Sequence, residues 1–304
     1  MISIRKHAVV GLALVLGLCV GAGTARADAL YWAVERDGET AGYLLGTVHS
    51  EDPRVLDYTE SFLDTLGSCE TFAMELVPDL PTMAELTRTM QLPEGQDLAA
   101  MLGQQRFEQV TAALAGYGVP EFAARRLKPW AVMMMLSMPP PRSGLFMDFS
   151  LSLRAAGAGL DVVGLETLEQ QLAFMEELTV EAQIEMLDQA VAEVDRVAEI
   201  HTGLVDTYLE GSMASLLAES DEQMATLSAE TQAYFQAEGI DRRNERMVNN
   251  AVPLLREGCT FIAVGALHLP GETGLVQGLG RAGFELKPLA LPLNGLDEAS
   301  EIRP

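Results

Sequence analysis

The chain has 304 residues, and 48% of them are hydrophobic, which is enough for one large core or two smaller ones. It contains 44 acidic and 20 basic side chains, so its formal net charge is −24 at pH 7. A surface this acidic repels nucleic acid and anionic lipid, and we therefore expect neither nucleic-acid binding nor binding to membrane surfaces.

Residues 1–27 have the pattern of a secretory signal peptide. Arg5 and Lys6 precede an apolar run over residues 8–23, and a small-x-small cleavage pattern ends at Ala27. The alternative is an uncleaved membrane anchor, but the run is shorter than the roughly 20 residues that a span needs. We predict cleavage near Ala27 and a periplasmic or secreted protein without a membrane span. Because residues 1–27 hold three basic and no acidic side chains, their removal changes the net charge from −24 to −27.

The region after the signal peptide begins with a predicted β-hairpin. Two strand-like runs, LYWAVER and YLLGTVH, flank Asp37-Gly38, a dipeptide typical of tight hairpin turns. The runs TFAMELVP and LDVVGLET predict a third and a fourth strand. Residues 81–159 and 169–257 have the pattern of amphipathic helices. Two further strands, TFIAVGALH and FELKPLAL, are separated by a helix predicted over residues 274–282.

Strands that alternate with helices in this way predict an α/β fold. We expect a mixed, mostly parallel central sheet flanked by helices, with an opening β-hairpin and a large helical insertion. No low-complexity linker divides the sequence, so we predict a single domain over residues 28–290, followed by a frayed tail over residues 291–304.

Two cysteines follow the signal peptide, Cys69 and Cys259, and each lies just before a strand-like run. If these runs are neighbouring parallel strands, the two sulfur atoms lie at one edge of the sheet and can pair. Two buried free thiols are an equally good interpretation of the sequence.

A repeated Gly-x-x-His motif carries most of the functional information. GTVH over residues 46–49 and GALH over residues 265–268 each end an apolar run, and they contain two of the three histidines after residue 27. The third, His201, lacks this setting, and we predict that it lies on a helix surface. Gly46 and Gly265 have no Cβ atom, so they allow a close approach of backbone or ligand.

Two glutamates accompany these histidines at predicted strand ends, Glu75 in FAMEL and Glu166 in GLET. A carboxylate in an apolar strand is costly without a partner, and a metal ion or a pair of histidines would serve as one. Imidazole and carboxylate donors suit zinc, manganese, iron or cobalt, and an incomplete set leaves room for a reactive water. The alternatives are a hydrogen-bonded core histidine at each strand end and a helix-capping role for Glu166.

Other catalytic classes lack support in this sequence. It contains neither the G-x-S-x-G of a nucleophile-elbow serine hydrolase nor the H-E-x-x-H of a zincin peptidase. A Gly-rich phosphate-binding motif is missing as well.

Several segments together resemble the TraB/GumN family, which includes the Tiki ectodomains and is related to erythromycin-esterase-like and ChaN-like proteins. They match in order from about Leu30 to Leu289 and are YLLGTVH, FAMEL, LKPW at 127–130, GLET at 164–167, RRNERM at 242–247 and the long run beginning FIAVGALH. The resemblance implies an α/β fold and, from its Tiki members, a metal-dependent peptidase that prefers manganese or cobalt.

The resemblance also implies roles for individual residues. His49, Glu75 and His268 correspond to the metal or catalytic centre. Arg243 and Asn244 are candidates for steadying a substrate carbonyl or carboxylate, and Glu166 is a candidate further ligand or proton carrier.

The sequence therefore favours an exported hydrolase with a divalent Mn, Co, Zn or Fe ion. It would cut a peptide, or the end of a secreted protein, by a metal-activated water, with Glu75 or Glu166 handling the proton. One alternative is a non-catalytic protein that binds haem, iron or a peptide, and another is an esterase on the same centre. The sequence leaves the oligomeric state open.

Overall fold

A computed structural model describes residues 28–296 of the chain. The predicted signal peptide and residues 297–304 lie outside the described residues. The described part forms one six-stranded sheet surrounded by helices, as the sequence predicts. None of the helices within residues 28–296 combines the length and the apolar composition that a membrane crossing requires.

The sheet is mixed and mostly parallel, which confirms the predicted fold class. Its strands are β1 (Tyr31–Arg36), β2 (Glu39–Thr47), β3 (Thr71–Met74), β4 (Asp161–Gly164), β5 (Thr260–Gly265) and β6 (Glu285–Leu289). Their order across the sheet is β4-β3-β5-β2-β1-β6. Pairing is parallel from β4 through β3 and β5 to β2, whereas β1 runs antiparallel to both β2 and β6.

The opening hairpin forms at the predicted dipeptide. Asp37 has a φ of 56° and Gly38 has a φ of 85°, so both central residues of the turn adopt the left-handed region. This is the backbone of a two-residue hairpin turn whose twist matches that of the strands, and it explains why an Asp-Gly pair stands there.

Helices fill the long segments between the strands. They are α1 (Pro53–Leu56), α2 (Glu60–Gly67), α3 (Leu80–Thr89), α4 (Leu98–Leu102), α5 (Gln104–Ala115), α6 (Glu121–Ala124), α7 (Pro129–Leu136), α8 (Met147–Ala158), α9 (Leu168–Glu176), α10 (Val180–Glu193), α11 (Val197–Leu209), α12 (Met213–Met224), α13 (Ala229–Tyr234), α14 (Arg242–Glu257) and α15 (Leu275–Arg281). Residues Val194–Arg196 and Ala266–His268 form 3₁₀ turns, and Phe235–Asp241 form a π-helical segment.

Two hydrophobic clusters stabilise the described part of the chain. One surrounds the sheet, where Phe261 on β5 stacks on Phe72 of the neighbouring strand β3 with ring centroids 6.1 Å apart. The other lies among helices of the insertion and includes Phe107 and Trp130, both at most 2% exposed. The insertion therefore has a core of its own.

Cys69 and Cys259 form a disulfide bond, which settles the alternative that the sequence leaves open. They lie just before β3 and β5, which are neighbouring parallel strands with Thr71 opposite Thr260. The bond therefore joins the amino ends of two central strands, at the opposite edge from the residues with candidate chemistry.

The predicted frayed tail starts too early. Leu293 is 3% exposed and bridges to Tyr58, and the Thr59 amide donates to the carbonyl of Pro292 at 3.1 Å. Because Leu293 completes the core beside Tyr58, the chain stays packed beyond residue 290. The rest of the predicted tail, from residue 297, lies outside the described residues.

Candidate active site

Three parallel strands deliver the principal candidate residues to one edge of the sheet. Thr47 of β2 lies opposite Gly265 of β5, and Met74 of β3 lies opposite Ala263 of β5. Glu75 is the next residue after Met74, His49 lies two residues after Thr47, and His268 lies three residues after Gly265. Ligand sites of open α/β sheets lie beyond the carboxyl ends of the strands, as these three residues do.

Glu75 and His268 are in direct contact. The Nε2 atom of His268 lies 3.8 Å from Oε1 of Glu75, and the same oxygen accepts a hydrogen bond of 2.7 Å from the amide of Gly265. A Cβ atom on Gly265 would lie only 3.2 Å from that oxygen. The glycine of the second motif therefore makes room for the carboxylate of Glu75.

The glycine of the first motif has a related role. A Cβ atom on Gly46 would lie 3.0 Å from Cα of Ala266 and 2.7 Å from the side chain of Leu269. Gly46 thus allows the backbone that carries His268 to pack directly on β2. Both motif glycines are required by close approach, as the sequence predicts.

Asn244 fixes the orientation of His268. Its Oδ1 atom lies 2.7 Å from Nδ1 of His268, and both side chains are buried. Because an amide oxygen only accepts, Nδ1 carries the proton, and Nε2, which lies 3.8 Å from Oε1 of Glu75, keeps its lone pair. The Nδ2 group of Asn244 has no hydrogen-bond partner among residues 28–296.

Glu166 is linked to the pair of Glu75 and His268 through Arg243. Arg243 donates to Glu75 through Nη2 at 2.6 Å and to Glu166 through Nε at 2.9 Å and Nη2 at 2.7 Å. Arg246 holds the other oxygen of Glu166 at 2.8 Å. Glu166 therefore contacts the two arginines, and the helix that follows it is capped by Thr167 with Gln170 as a capping box.

The pair is ionised in a way that suits metal binding. Burial disfavours the charge of Glu75, but the charges of His268 and Arg243 and the Gly265 amide lower its pKa to about 2. Burial lowers the pKa of His268 to about 4. Near pH 7 the structure thus holds an anionic carboxylate against a neutral imidazole, the protonation states in which both groups bind a metal ion.

His49 lies in different surroundings. Its side chain is 58% exposed, its ring stacks on Phe146 with centroids 4.1 Å apart, and its Nδ1 lies 3.2 Å from Oδ2 of Asp148. The hydroxyl of Thr47 donates to the other oxygen of Asp148. Asp148, in the first turn of α8, was missed by the sequence analysis because nothing local to FMDF indicates a histidine 99 residues away.

His201 lies on α11, as predicted, but its side chain is only partly exposed. It is half-buried, and its Nε2 lies 3.0 Å from Oγ of Ser50, the residue after His49. The side chain contacts the loop after β2 and lines the cleft beside it, and partial burial lowers its pKa. All three histidines of the described region therefore lie near the carboxyl edge of the sheet.

The chemistry of the donors fits a divalent metal, although the full ligand set is not brought together. Nδ1 of His268 contacts Asn244 and Nδ1 of His49 contacts Asp148, so each Nε2 is left for a ligand, as in metal-binding histidines. Within residues 28–296, however, no three His, Cys, Asp or Glu side chains lie close enough together to hold a metal ion. Glu75 and His268 meet, whereas His49 contacts Asp148.

Comparison with known proteins identifies the family. The model of the TraB/PrgY/gumN family matches residues 30–288. The protein named metalloprotease TIKI1 from Danio rerio is 24% identical over 324 residues, which cover 88% of this chain and 65% of that protein. The chain thus spans somewhat less than two thirds of the length of this relative. No solved structure shows a significant match. With a family match that spans most of its length, the chain belongs to the TraB/PrgY/gumN family.

Proposed function

We propose that this protein is an exported metal-dependent hydrolase that cuts peptide bonds. The observation that carries the proposal is the contact between Glu75 and His268, in which Asn244 holds Nδ1 and leaves the lone pair of Nε2 for a ligand. Such a pair, with a buried histidine whose second ring nitrogen is already satisfied, has the arrangement of metal ligands supported by an outer shell.

The comparisons support the same chemistry. The relative from Danio rerio is named a metalloprotease, and its match covers most of this chain. The metal centre, the peptide substrate and export are the parts that we propose for this chain.

Glu75, His268 and His49 would hold the metal ion. When bound, a divalent metal lowers the pKa of a water ligand so that hydroxide is available near neutral pH. Asn244 keeps Nδ1 of His268 protonated, and Asp148 does the same for His49. Both residues act by positioning the histidines.

Arg243 and Glu166 have separate tasks in this proposal. The Nη1 group of Arg243 makes no hydrogen bond to the rest of the described chain, so it remains available to steady a substrate carbonyl. Glu166 is buried and held by two arginines, so it positions Arg243.

A paired panel of peptides and esters tests the proposal, with Mn²⁺, Co²⁺, Zn²⁺ or Fe²⁺ added in turn. We expect peptide cleavage that a chelator abolishes and that Glu75→Gln lowers by about 100-fold or more, because a ligand and its negative charge are removed. Glu181→Gln is the matched control, since Glu181 is exposed on α10.

Three results would contradict the proposal. Cleavage of esters alone would leave a hydrolase but remove the peptidase. Folded protein without hydrolysis under any metal would remove the enzyme. A Soret band in that inactive protein would favour the haem-binding alternative.

A further inference from the structure

A large cavity lies beside the candidate site, on the side of His268. It has a volume of about 700 Å³ and lies between α12, the π-helical segment Phe235–Asp241 and the loop over residues 267–273. We call it the acidic groove. Leu267, the neighbour of His268, lines it, and its volume is in the range of ligand-binding clefts.

The segments that form the walls of the acidic groove are continuous in sequence with segments that carry residues of the candidate site. The π-helical segment leads directly into α14, which begins with Arg242 and carries Arg243 and Asn244 in its first turn. Oδ1 of Asp241 accepts a hydrogen bond of 2.7 Å from Thr273 and one of 2.8 Å from Gln236. The π-helical wall and the loop after His268 are therefore tied together. Short π-helical segments occur often at functional sites.

The acidic groove carries unneutralised negative charge. Asp221, Asp241 and Glu272 line it, and its lining contains no Lys, Arg or His. None of these three carboxylates forms an ion pair within residues 28–296. Apolar side chains, among them Met224 and Phe235, form much of the remaining wall, together with the polar side chains of Ser220, Gln232, Gln236 and Thr273.

A second cavity lies on the side of His49, and it lacks the unpaired acidic side chains of the acidic groove. Its volume is about 330 Å³, and its acidic side chains are Glu51 and Asp52. Glu51 pairs with Arg142, and Asp52 pairs with Arg54. The acids that line the second cavity are therefore paired with arginines, whereas those of the acidic groove have no such partner within residues 28–296 and can meet a cation from outside the chain.

We propose that the acidic groove binds the part of a peptide substrate that carries a Lys or Arg beside apolar residues. The long aliphatic stem of such a side chain packs along the apolar walls while its charged end reaches the carboxylates. The net charge of −24 also draws cationic peptides to the protein. Cleavage of the bound peptide rests on the proposed function, whereas its binding in the groove does not depend on that function.

The test measures binding separately from cleavage. Fluorescent acetyl-Ala-Leu-X-Leu-Ala-amide peptides, with lysine, norleucine or glutamate as X, are titrated by anisotropy against the Glu75→Gln variant. We expect the lysine peptide to bind about tenfold more tightly than the norleucine peptide at low salt, because norleucine keeps the stem and lacks the charge. Raising NaCl from about 50 mM to about 500 mM should reduce this preference.

Neutralised variants locate the preference. In the same background, Asp221→Asn with Glu272→Gln should abolish the preference for lysine, because it removes two of the three groove charges. Neither side chain makes an ion pair with the rest of residues 28–296. Asp64→Asn with Glu181→Gln changes the net charge equally at exposed positions on α2 and α10, and should keep the preference.

Each outcome decides one claim. Equal affinity for the lysine and norleucine peptides would overturn the inference. Loss of the lysine preference to the same extent in both double variants would also overturn it, because the net charge of the protein would then explain the preference. Cleavage by the wild-type protein without charge preference would refute the groove and keep the peptidase. Charge-selective binding without cleavage under any metal would keep the groove and refute the peptidase.

Discussion

The two Gly-x-x-His motifs lie at the ends of neighbouring strands, yet their histidines have different surroundings. His268 is 7% exposed in its side chain and lies between Asn244 and Glu75, whereas the side chain of His49 is 58% exposed and contacts Asp148. The repeated motif therefore places each histidine at the sheet edge, while helices distant in the sequence determine the surroundings of its side chain. The His268 side is a preformed pair with a buried histidine, and the His49 side is open to a substrate.

The largest expected effect lies in the buried network on the His268 side. Arg243→Met leaves the carboxylate of Glu166, whose side chain is 0% exposed, with Arg246 as its one remaining arginine. We expect the free energy of unfolding to fall by about 3–5 kcal/mol, because a buried charge loses its main partner. The matched control is Arg142→Met, whose ion pair with Glu51 is exposed on the arginine side and is worth less than about 1 kcal/mol.

Urea denaturation of both variants measures this difference. Equal losses of stability in Arg243→Met and Arg142→Met would contradict the contrast between a buried and an exposed side of the site.

The next largest effect concerns the residues that orient the two histidines. Asn244→Leu removes the acceptor at Nδ1 of His268, and Asp148→Asn weakens the one at Nδ1 of His49. We expect each change to lower metal affinity by about 10–100-fold, with the larger loss for the buried Asn244. Competition with a fluorescent metal chelator measures both affinities. An unchanged affinity in Asn244→Leu would mean that the orientation of His268 does not matter for binding.

The pH dependence of stability should also differ between the two sides. The folded-state pKa of His268 is about 4, below its ordinary value of 6.5, so the unfolded chain binds the extra proton first as pH falls. In metal-free protein, stability should therefore decrease from pH 6.5 to about 4, on the order of 3 kcal/mol. His268→Gln should remove most of this slope.

Glu51, on the side of His49, titrates in a lower window. Backbone and side-chain hydrogen bonds from Ser143, with the amides of Arg142 and Gly144, lower its pKa from 4.5 to about 2. Its stabilising contribution is therefore present above pH 4.5 and is lost as pH falls through 2. Glu51→Gln should reduce the slope below pH 4.5, to which Glu75 also contributes, and leave the slope between pH 4.5 and 6.5 unchanged. The reverse pattern in chemical denaturation at several pH values would contradict both assignments.

The sequence specifies much of the fold because the strands are encoded locally. Apolar runs, the Asp37-Gly38 turn and the residues that follow each run predict the hairpin, the six strands and their ends. The meeting of Glu75 with His268 follows once β3 and β5 are neighbours, and the disulfide follows from the same pairing.

The partners of the site residues could not be predicted in this way. Asp148 and Ser50 meet histidines that are 99 and 151 residues away in the chain, and neither stands in a motif. The burial of His201 depends on where α11 lies relative to the loop after β2. Such contacts depend on how helices pack in three dimensions, and periodicity within one helix carries no information about its neighbours.

The most direct test of the account is the metal content of the protein purified without chelators, measured by elemental mass spectrometry. We predict about one Mn, Fe, Co or Zn per chain, lost in His49→Ala and in His268→Ala and retained in His201→Ala. That pattern would show that the two Gly-x-x-His motifs share one metal ion, with the third histidine of the described region as the matched control. Absence of metal in the wild-type protein, even after each ion is added back, would contradict the central claim.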